Sequence, residues 1–320
     1  MSLVDVIGLI SGALGIYAFM ADMLPEKGGG TIAAFRVKVS VDGCCKDVDP
    51  KLSNAGGGIQ TVRLYNVNGA LIGSGGGTDG SIGSGDFADL AVPQSVANQA
   101  LTAEFYANDD AACIATISAT LHDDTKWGWT GDWGKICGLD WYYSGIAMQG
   151  TEGSPLCTWI DRDHSDNIKA AVIGITWPGF VHRGDDAPPS GDGRDRCGNQ
   201  FRAWDADGGA PLVGAAARPR QRKQKRSQFP GDDRLVISSQ VSHNATELCQ
   251  HENSFGPDFY LLEGAYCNMA TKEVLPVCGA GVTARCFDLE AARLARQPTA
   301  GAASANVLAA QKTKNKVIEW

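Results

Sequence analysis

One stretch of the sequence decides the fold: Trp127-Gly-Trp129-Thr-Gly-Asp132-Trp133-Gly-Lys-Ile-Cys137-Gly-Leu-Asp140-Trp141-Tyr142-Tyr143-Ser144. The wider segment 113–160 around it holds five of the eight tryptophans and three of the ten cysteines. Within it, glycine and aspartate, which favour turns, separate short runs of apolar and aromatic residues, which favour strands. The stretch therefore indicates strands joined by tight turns.

Runs with the two-residue periodicity of half-buried strands lie on both sides of this stretch. In the run 35–41, apolar and polar residues alternate without a break, as expected for a strand with one buried face. Further strand-like runs lie at 61–67, 70–73, 100–107, 113–121, 156–160 and 168–177. Asn68-Gly69 separates two of them and predicts a β-hairpin. The pattern predicts a mainly β fold of the β-sandwich type.

The chain divides into five predicted segments. They are an N-terminal apolar helix at 1–26, a β-sandwich at 27–182, a surface excursion rich in Gly, Pro and Arg at 183–233, a small disulfide-rich unit at 234–288, and an Ala-rich tail at 289–320. Within the small unit, the run 242–249 has the spacing of a short capped helix. For the tail we expect exposed helix or disorder.

The N-terminal segment is open to three interpretations. Its uncharged run, Val6 to Ala21, is 16 residues long, shorter than the ~20 residues that span a bilayer as a helix. No Lys or Arg precedes Lys27, so the positive region of a typical signal peptide is missing. The segment is a helix buried in the fold or in an oligomer interface, a membrane-interacting segment, or an atypical secretion signal. The first interpretation is preferred and predicts self-association through this segment.

The net charge of −8 conceals a basic cluster. The cluster consists of Arg218, Arg220, Arg222, Lys223, Lys225 and Arg226. Because nucleic-acid affinity depends on neutralising phosphates with Lys and Arg, an acidic body disfavours nucleic acid as a partner. The Lys225-Arg226 pair suits a dibasic processing protease, while a localisation or polyanion-binding patch and a merely solvated loop are the alternatives.

The ten cysteines predict disulfide bonds. Their number is even and their spacing matches no zinc site; they are Cys44, Cys45, Cys113, Cys137, Cys157, Cys197, Cys249, Cys267, Cys278 and Cys286. Disulfides imply an oxidising compartment, and Asn244-Ala-Thr246 is a glycosylation acceptor. Together these features predict an extracellular or cell-surface protein, although the sequence leaves the cysteine pairing open.

The tryptophans offer a weak ligand-binding prediction. Trp127, Trp129 and Trp133, with Asp132 among them, have the residue types of a sugar-binding surface, because aromatic rings stack on sugars. The competing and preferred interpretation places these rings in the core. The segment 161–166 resembles the first half of a calcium loop but has Asp166 where the loop needs glycine. We expect no metal and no cofactor.

Catalytic signatures do not occur in the sequence. It contains no GxSxG, HExxH or P-loop motif. His243 and Cys249 suggest a dyad only if Cys249 is free, and a bridged Cys249 is the better interpretation. We therefore expect a non-catalytic protein.

Several motifs along the chain form a recognisable set. They are Ala13-Leu-Gly15 with Asp22 and Pro25, Asp109-Asp110-Ala-Ala-Cys113-Ile-Ala, Trp129-Thr-Gly-Asp132-Trp133-Gly, Cys137-Gly, Trp141-Tyr-Tyr-Ser144, Cys157-Thr-Trp-Ile-Asp161, Ser242-His-Asn-Ala-Thr-Glu-Leu-Cys249 and Gly256-Pro-Asp258-Phe. With this set the chain resembles a family of uncharacterised proteins of filamentous fungi, over most of its length apart from 183–231. The resemblance implies a fungal source and a secreted or cell-surface setting, and it carries over no catalytic residues.

The functional expectation follows from these points. We expect an extracellular or cell-surface binding or self-assembling structural protein of a fungus. The alternatives are a membrane-active, toxin-like protein that uses the N-terminal helix, a lectin-like carbohydrate binder, and a secreted hydrolase without a recognisable motif. Glycans and membrane surfaces are thus the partners to test.

Overall fold

The structure is a computed structural model, and it describes residues 9–12, 15–18, 21–41, 55–148, 154–165, 167–180, 194–214, 234–240, 242–262, 264–279, 281–282, 285–289, 293–294 and 316–319. The chain forms two compact units. Unit 1 comprises Met1–Asp42 and Leu52–Pro219, and unit 2 comprises Gly43–Lys51 and Arg220–Trp320.

The N-terminal segment differs from the expected helix. Its described residues form two antiparallel strands, β1 (Leu9–Gly12) and β2 (Gly15–Ala18), followed by a 3-10 helix at Ala21–Met23. The predicted helix at 1–26 is therefore not what these residues form. The segment contains three glycines within eight residues, Gly8, Gly12 and Gly15. Because each glycine costs about 1 kcal/mol relative to alanine inside a helix, this composition disfavours a helix. Among the described residues, no helix has the length and hydropathy of a membrane span.

The remaining strands of unit 1 form two antiparallel sheets. In chain order they are β3 (Ile32–Val39), β4 (Ile59–Tyr65), β5 (Leu71–Gly75), β6 (Phe87–Pro93), β7 (Thr102–Ala107), β8 (Ala112–Thr120), β9 (Lys126–Thr130), β10 (Trp141–Tyr143), β11 (Leu156–Ile160), β12 (Val172–Thr176) and β13 (Phe201–Trp204). The first sheet has the order β10-β11-β8-β3-β6, with β9 also paired to β8, and the second has the order β13-β12-β7-β4-β5. Helix α1 (Asp132–Cys137) follows β9, and 3-10 helices occupy Trp177–Gly179 and Arg194–Arg196.

The two sheets share one hydrophobic core. Residues of both sheets contribute to it, among them Phe35 and Ile117 from the first sheet and Phe105 and Ile173 from the second. The rings of Phe35 and Phe105 meet edge to face with centroids 5.5 Å apart. The prediction of a mainly β fold is confirmed, and both sheets contribute to one core cluster.

Elements with a strong local sequence signal were predicted, and elements without one were not. The Asn-Gly hairpin between β4 and β5 is present: Gly69 has φ 74°, and Oδ1 of Asn66 accepts from the amides of Asn68 and Ala70. Strand β13, in contrast, lies inside the predicted surface excursion at 183–233, yet it pairs with β12 and buries Phe201. A strand of four residues among glycines and aspartates is too short to show a periodicity.

Unit 2 contains a mixed sheet. Its elements are β14 (Arg234–Ser238), α2 (Ala245–Gln250), β15 (Asp258–Leu261), β16 (Ala265–Asn268), β17 (Glu273–Pro276), β18 (Phe287–Asp288), β19 (Arg293–Leu294) and β20 (Lys316–Glu319). The sheet order is β17-β16-β15-β14-β20, with β14 parallel to both neighbours. The capped helix is confirmed, since Oδ1 of Asn244 accepts from the amide of Glu247. The described end of the tail is a strand instead of a helix, in keeping with its β-branched Val317 and Ile318.

Disulfide bonds connect all eight cysteines that the structure describes. The pairs are Cys113–Cys157, Cys137–Cys197, Cys249–Cys267 and Cys278–Cys286. The first joins the neighbouring strands β8 and β11, and the second joins α1 to the segment before β13. Cys44 and Cys45 lie outside the described residues. Four disulfides are compatible with an extracellular protein.

Candidate functional site

The tryptophans of the central stretch belong to the core. Trp129 and Trp133 are 0% and 1% exposed, and Trp127 is partly buried against the same core cluster. Trp129 stacks on Phe201, with ring centroids 5.5 Å apart. Because their faces are covered, Trp129 and Trp133 do not offer a sugar-stacking surface, and the core interpretation describes their environment.

Asp132 is buried at the first residue of α1. It is 2% exposed, and its Oδ1 accepts from the amide of Leu156 at 3.3 Å. Burial raises the pKa of this carboxyl to about 6, because desolvation outweighs the lowering effect of its hydrogen bonds. Asp132 is thus a titratable group of the interior and not a surface ligand for sugar hydroxyls.

A surface with binding chemistry lies instead on the outer face of the second sheet. Strand register places its residues in two rows across the sheet, the first from β4 to β13 and the second from β7 to β13. The first row consists of Arg63, Glu104, Gly174 and Arg202, and the second of Tyr106, Val172 and Trp204. These seven residues define the outer face below. Glu104 and Gly174, which are register partners there, lie 70 positions apart in the sequence.

Trp204 covers Gly174 on this face. A Cβ at position 174 would lie 3.0 Å from Cζ3 and 3.1 Å from Cη2 of the indole. The half-buried indole packs against Tyr106 and Val172, and Cζ of Arg202 lies 5.4 Å from its ring centroid. Since glycine has no side chain, the indole lies directly against the backbone of β12 and stays partly accessible.

A hydrogen-bonded polar cluster adjoins the indole. Nη1 of Arg63 donates to the Tyr106 hydroxyl at 3.0 Å, and its two terminal nitrogens bind the Asp207 carboxylate at 2.8 and 2.7 Å. The Tyr106 hydroxyl donates to Oε2 of Glu104 at 2.8 Å. Burial and the Glu104 hydrogen bond both raise the pKa of Tyr106, so its hydroxyl remains a donor. The Arg63 hydrogen bond lowers the pKa of Asp207 and fixes the loop after β13 onto β4.

Comparison with known proteins adds no assignment. No protein-family model and no curated protein matches the chain. One solved structure, that of a LOX variant, aligns with 15% sequence identity over 32% of this chain and 15% of the LOX chain, with a TM-score of 0.21. A similarity this low says nothing about the fold or the activity of the protein.

The other predicted site residues do not belong to the outer face. Asn244 is exposed in unit 2, where its side chain also caps α2. Cys249 is bridged, and His243 instead approaches Oγ of the fully buried Ser238 at 2.7 Å. Burial lowers the pKa of His243 to about 4. Lys225 and Arg226 lie outside the described residues.

The part of the chain that the structure describes contains no candidate metal site. No group of three or more His, Cys, Asp or Glu side chains is arranged there to hold an ion. In the calcium-like segment, Oδ1 of Asp163 accepts from the amide of Ser165 at 2.9 Å, which is the geometry of a turn closed by an Asp side chain.

Sequence reasoning missed the outer face for a physical reason. Its residues become neighbours only through the register of four strands, and register is not visible in a local window. The one available signal was the alternation of Arg63 with Val62 and Leu64, which marks an outward-facing side chain on a strand.

Proposed function

We propose that this chain is an extracellular, non-catalytic binding protein that recognises a carbohydrate through the outer face of its second sheet. The observation that carries the proposal is the partly accessible indole of Trp204, which lies over Gly174 beside Arg202. An aromatic surface with a few fixed polar groups is the usual composition of a small-ligand site. The proposal keeps the lectin-like interpretation of the sequence and moves its site away from the buried tryptophans.

The surroundings of Trp204 support a polyhydroxylated ligand. Asp207 and Glu104 are acceptors held by Arg63 and Tyr106, so their positions are fixed before any ligand binds. Preorganised polar groups lose less conformational entropy on binding. Each positive charge in this cluster has a nearby negative one, which suits hydroxyl groups. The disulfides favour an extracellular setting, and the proposed fungal source rests on the motif resemblance.

The test is binding of the intact, oxidised protein to a glycan array, followed by calorimetry on the ligands found. Trp204→Ala should weaken binding about tenfold or more, because a stacked aromatic contact of one to a few kcal/mol is lost. Trp127→Ala is the matched control, since this partly buried tryptophan lies on β9 of the first sheet. Equal affinities for wild type and Trp204→Ala would exclude the outer face.

A second variant moves the indole without removing it. In Gly174→Ala the new methyl group meets the indole at about 3.0 Å and displaces it from the sheet, so affinity should fall while the ring itself remains. Gly29→Ala is the control, because a Cβ there has no neighbour within 4 Å. Unchanged affinity in Gly174→Ala would mean that the position of the indole on the sheet does not matter for binding.

A further inference from the structure

A cavity opens beside β13, next to the outer face. Its volume is about 510 Å³, within the range of ~300–1,000 Å³ that small-ligand sites occupy. Its lining comes entirely from residues 194–214 and includes Arg194, Asp195, Arg202, Trp204, Pro211 and Val213. Arg202 and Trp204 belong both to this cavity and to the outer face, so a ligand on the indole has the cavity as its immediate neighbour.

The charges of the cavity favour an anionic group. Two arginines, Arg194 and Arg202, line it together with one carboxylate, that of Asp195. Nε of Arg202 is buried and has no hydrogen-bond partner among the residues that the structure describes. A buried N–H without an acceptor is unfavourable, so a shift of the Arg202 side chain that brings this N–H to an acceptor on a ligand would relieve a cost that the free protein carries.

The geometry of the Arg202 guanidinium favours a carboxylate among the possible anionic groups. A guanidinium offers parallel N–H donors that match the two oxygens of a carboxylate. The aromatic ring beside it suits the apolar face of a sugar ring. One ligand unit that presents both a ring face and a carboxylate would therefore satisfy Trp204 and Arg202 together.

We propose that the cavity beside β13 receives the carboxylate of a hexuronate unit whose ring lies on Trp204, so that the ligand is an acidic polysaccharide. This inference rests on the proposed carbohydrate binding and adds the chemical class of the sugar. Arg202 would pair with the carboxylate, and the Arg63 cluster would bind hydroxyl groups of the same or the next unit.

The experiment compares two ligands that differ only in the carboxyl group. Calorimetry measures binding of the oxidised full chain to a hexuronate oligosaccharide and to the same oligosaccharide after reduction of its carboxyl groups to hydroxymethyl groups. We expect about ten- to hundredfold tighter binding of the acidic form, the value of a charged hydrogen bond. That difference should shrink as the salt concentration rises.

Variants assign the difference to Arg202. In Arg202→Gln the acidic and the reduced ligand should bind with equal affinity, while Arg202→Lys, which keeps the charge, should retain part of the preference for the acidic ligand. Arg36→Gln is the matched control, because Arg36 also lies over an aromatic ring, Phe87, but on the first sheet. Near-ultraviolet circular dichroism verifies that each variant is folded.

The outcomes separate this inference from the proposed function. Equal wild-type affinities for the two ligands, or an equal loss for both in Arg202→Gln, would overturn the carboxylate site and leave carbohydrate binding intact. If the protein binds neither these ligands nor any glycan of the array, the proposed function fails and this inference fails with it.

Discussion

At the scale of single residues, the carboxyl of Asp132 is unusual because it is buried and its pKa is raised. It belongs to the central stretch from which the fold was inferred, but it is buried beneath the strands and not presented at the surface. A carboxyl whose pKa is raised in the folded chain binds its proton more tightly there than in the unfolded chain. Its contribution to stability is therefore present at low pH and lost as the pH rises.

We predict that Asp132→Asn removes this pH dependence. Between the unfolded pKa of about 4 and the folded pKa of about 6, the free energy of unfolding of the wild type should fall relative to the variant, by roughly 3 kcal/mol at neutral pH. Asparagine keeps an oxygen for the amide of Leu156 and carries no charge. Urea unfolding at several pH values measures the difference.

Parallel stability curves for wild type and Asp132→Asn would contradict the raised pKa. The sequence offered no sign of this burial, because aspartate at the start of a helix normally faces solvent. Burial of Asp132 results from the close approach of the chain at Gly131, where a Cβ would lie 2.5 Å from the carbonyl oxygen of Leu156. This long-range contact is invisible in the local sequence.

At the scale of elements, prediction succeeded where the signal was local. The hairpin between β4 and β5 follows from Asn68-Gly69, because only a few residue pairs tolerate that turn. Helix α2 follows from Asn244 and Glu247 three residues later. Strands β13, β1 and β2 were missed, since each has only four residues, too few to show the alternation of a strand.

The pairing of cysteines is an element-scale property that the sequence could not give. Cys113 and Cys157 sit on β8 and β11, which are adjacent only because a helix and two strands fold between them. Ten cysteines allow many pairings, and spacing does not choose among them. Only the register of Trp159 with Cys113 brings the two thiols close enough to bond.

We predict that the double variant Cys113→Ala/Cys157→Ala lowers the free energy of unfolding of unit 1 by about 4 kcal/mol. The disulfide spans 44 residues, and closing a loop of this length in the unfolded chain has an entropic effect of that size. Seven of the eight tryptophans lie in unit 1, so tryptophan fluorescence follows its denaturation. A loss below 1 kcal/mol would show that the bond adds little to the sheet.

At the scale of the whole molecule, the compartment is the main open property. Four disulfides are compatible with an extracellular protein, whereas processing at Lys225-Arg226, glycosylation at Asn244 and self-association through residues 1–26 remain predictions. The sequence predicted disulfides because the ten cysteines are even in number and their spacing matches no zinc site. The partner of the N-terminal segment is not encoded in a local pattern.

We predict that eight cysteines of the protein purified from its source resist alkylation under denaturing, non-reducing conditions. They are Cys113, Cys137, Cys157, Cys197, Cys249, Cys267, Cys278 and Cys286. Reduction before alkylation should label all of them, and each opened bond adds about two mass units. The same mass spectra report cleavage after Arg226 and a glycan on Asn244. Labelling of the eight without reductant would contradict the extracellular assignment.

The bond between Cys137 and Cys197 has a consequence for where the protein can act. Cys197 lines the cavity and stands four residues before β13, an edge strand that carries both Arg202 and Trp204. Reduction of this one bond should free β13 from the second sheet before the core unfolds. Affinity for the proposed ligand should therefore fall at reductant concentrations at which the core tryptophans are still buried. Under the proposed function, the chain would bind its ligand only after this bond has formed in an oxidising compartment.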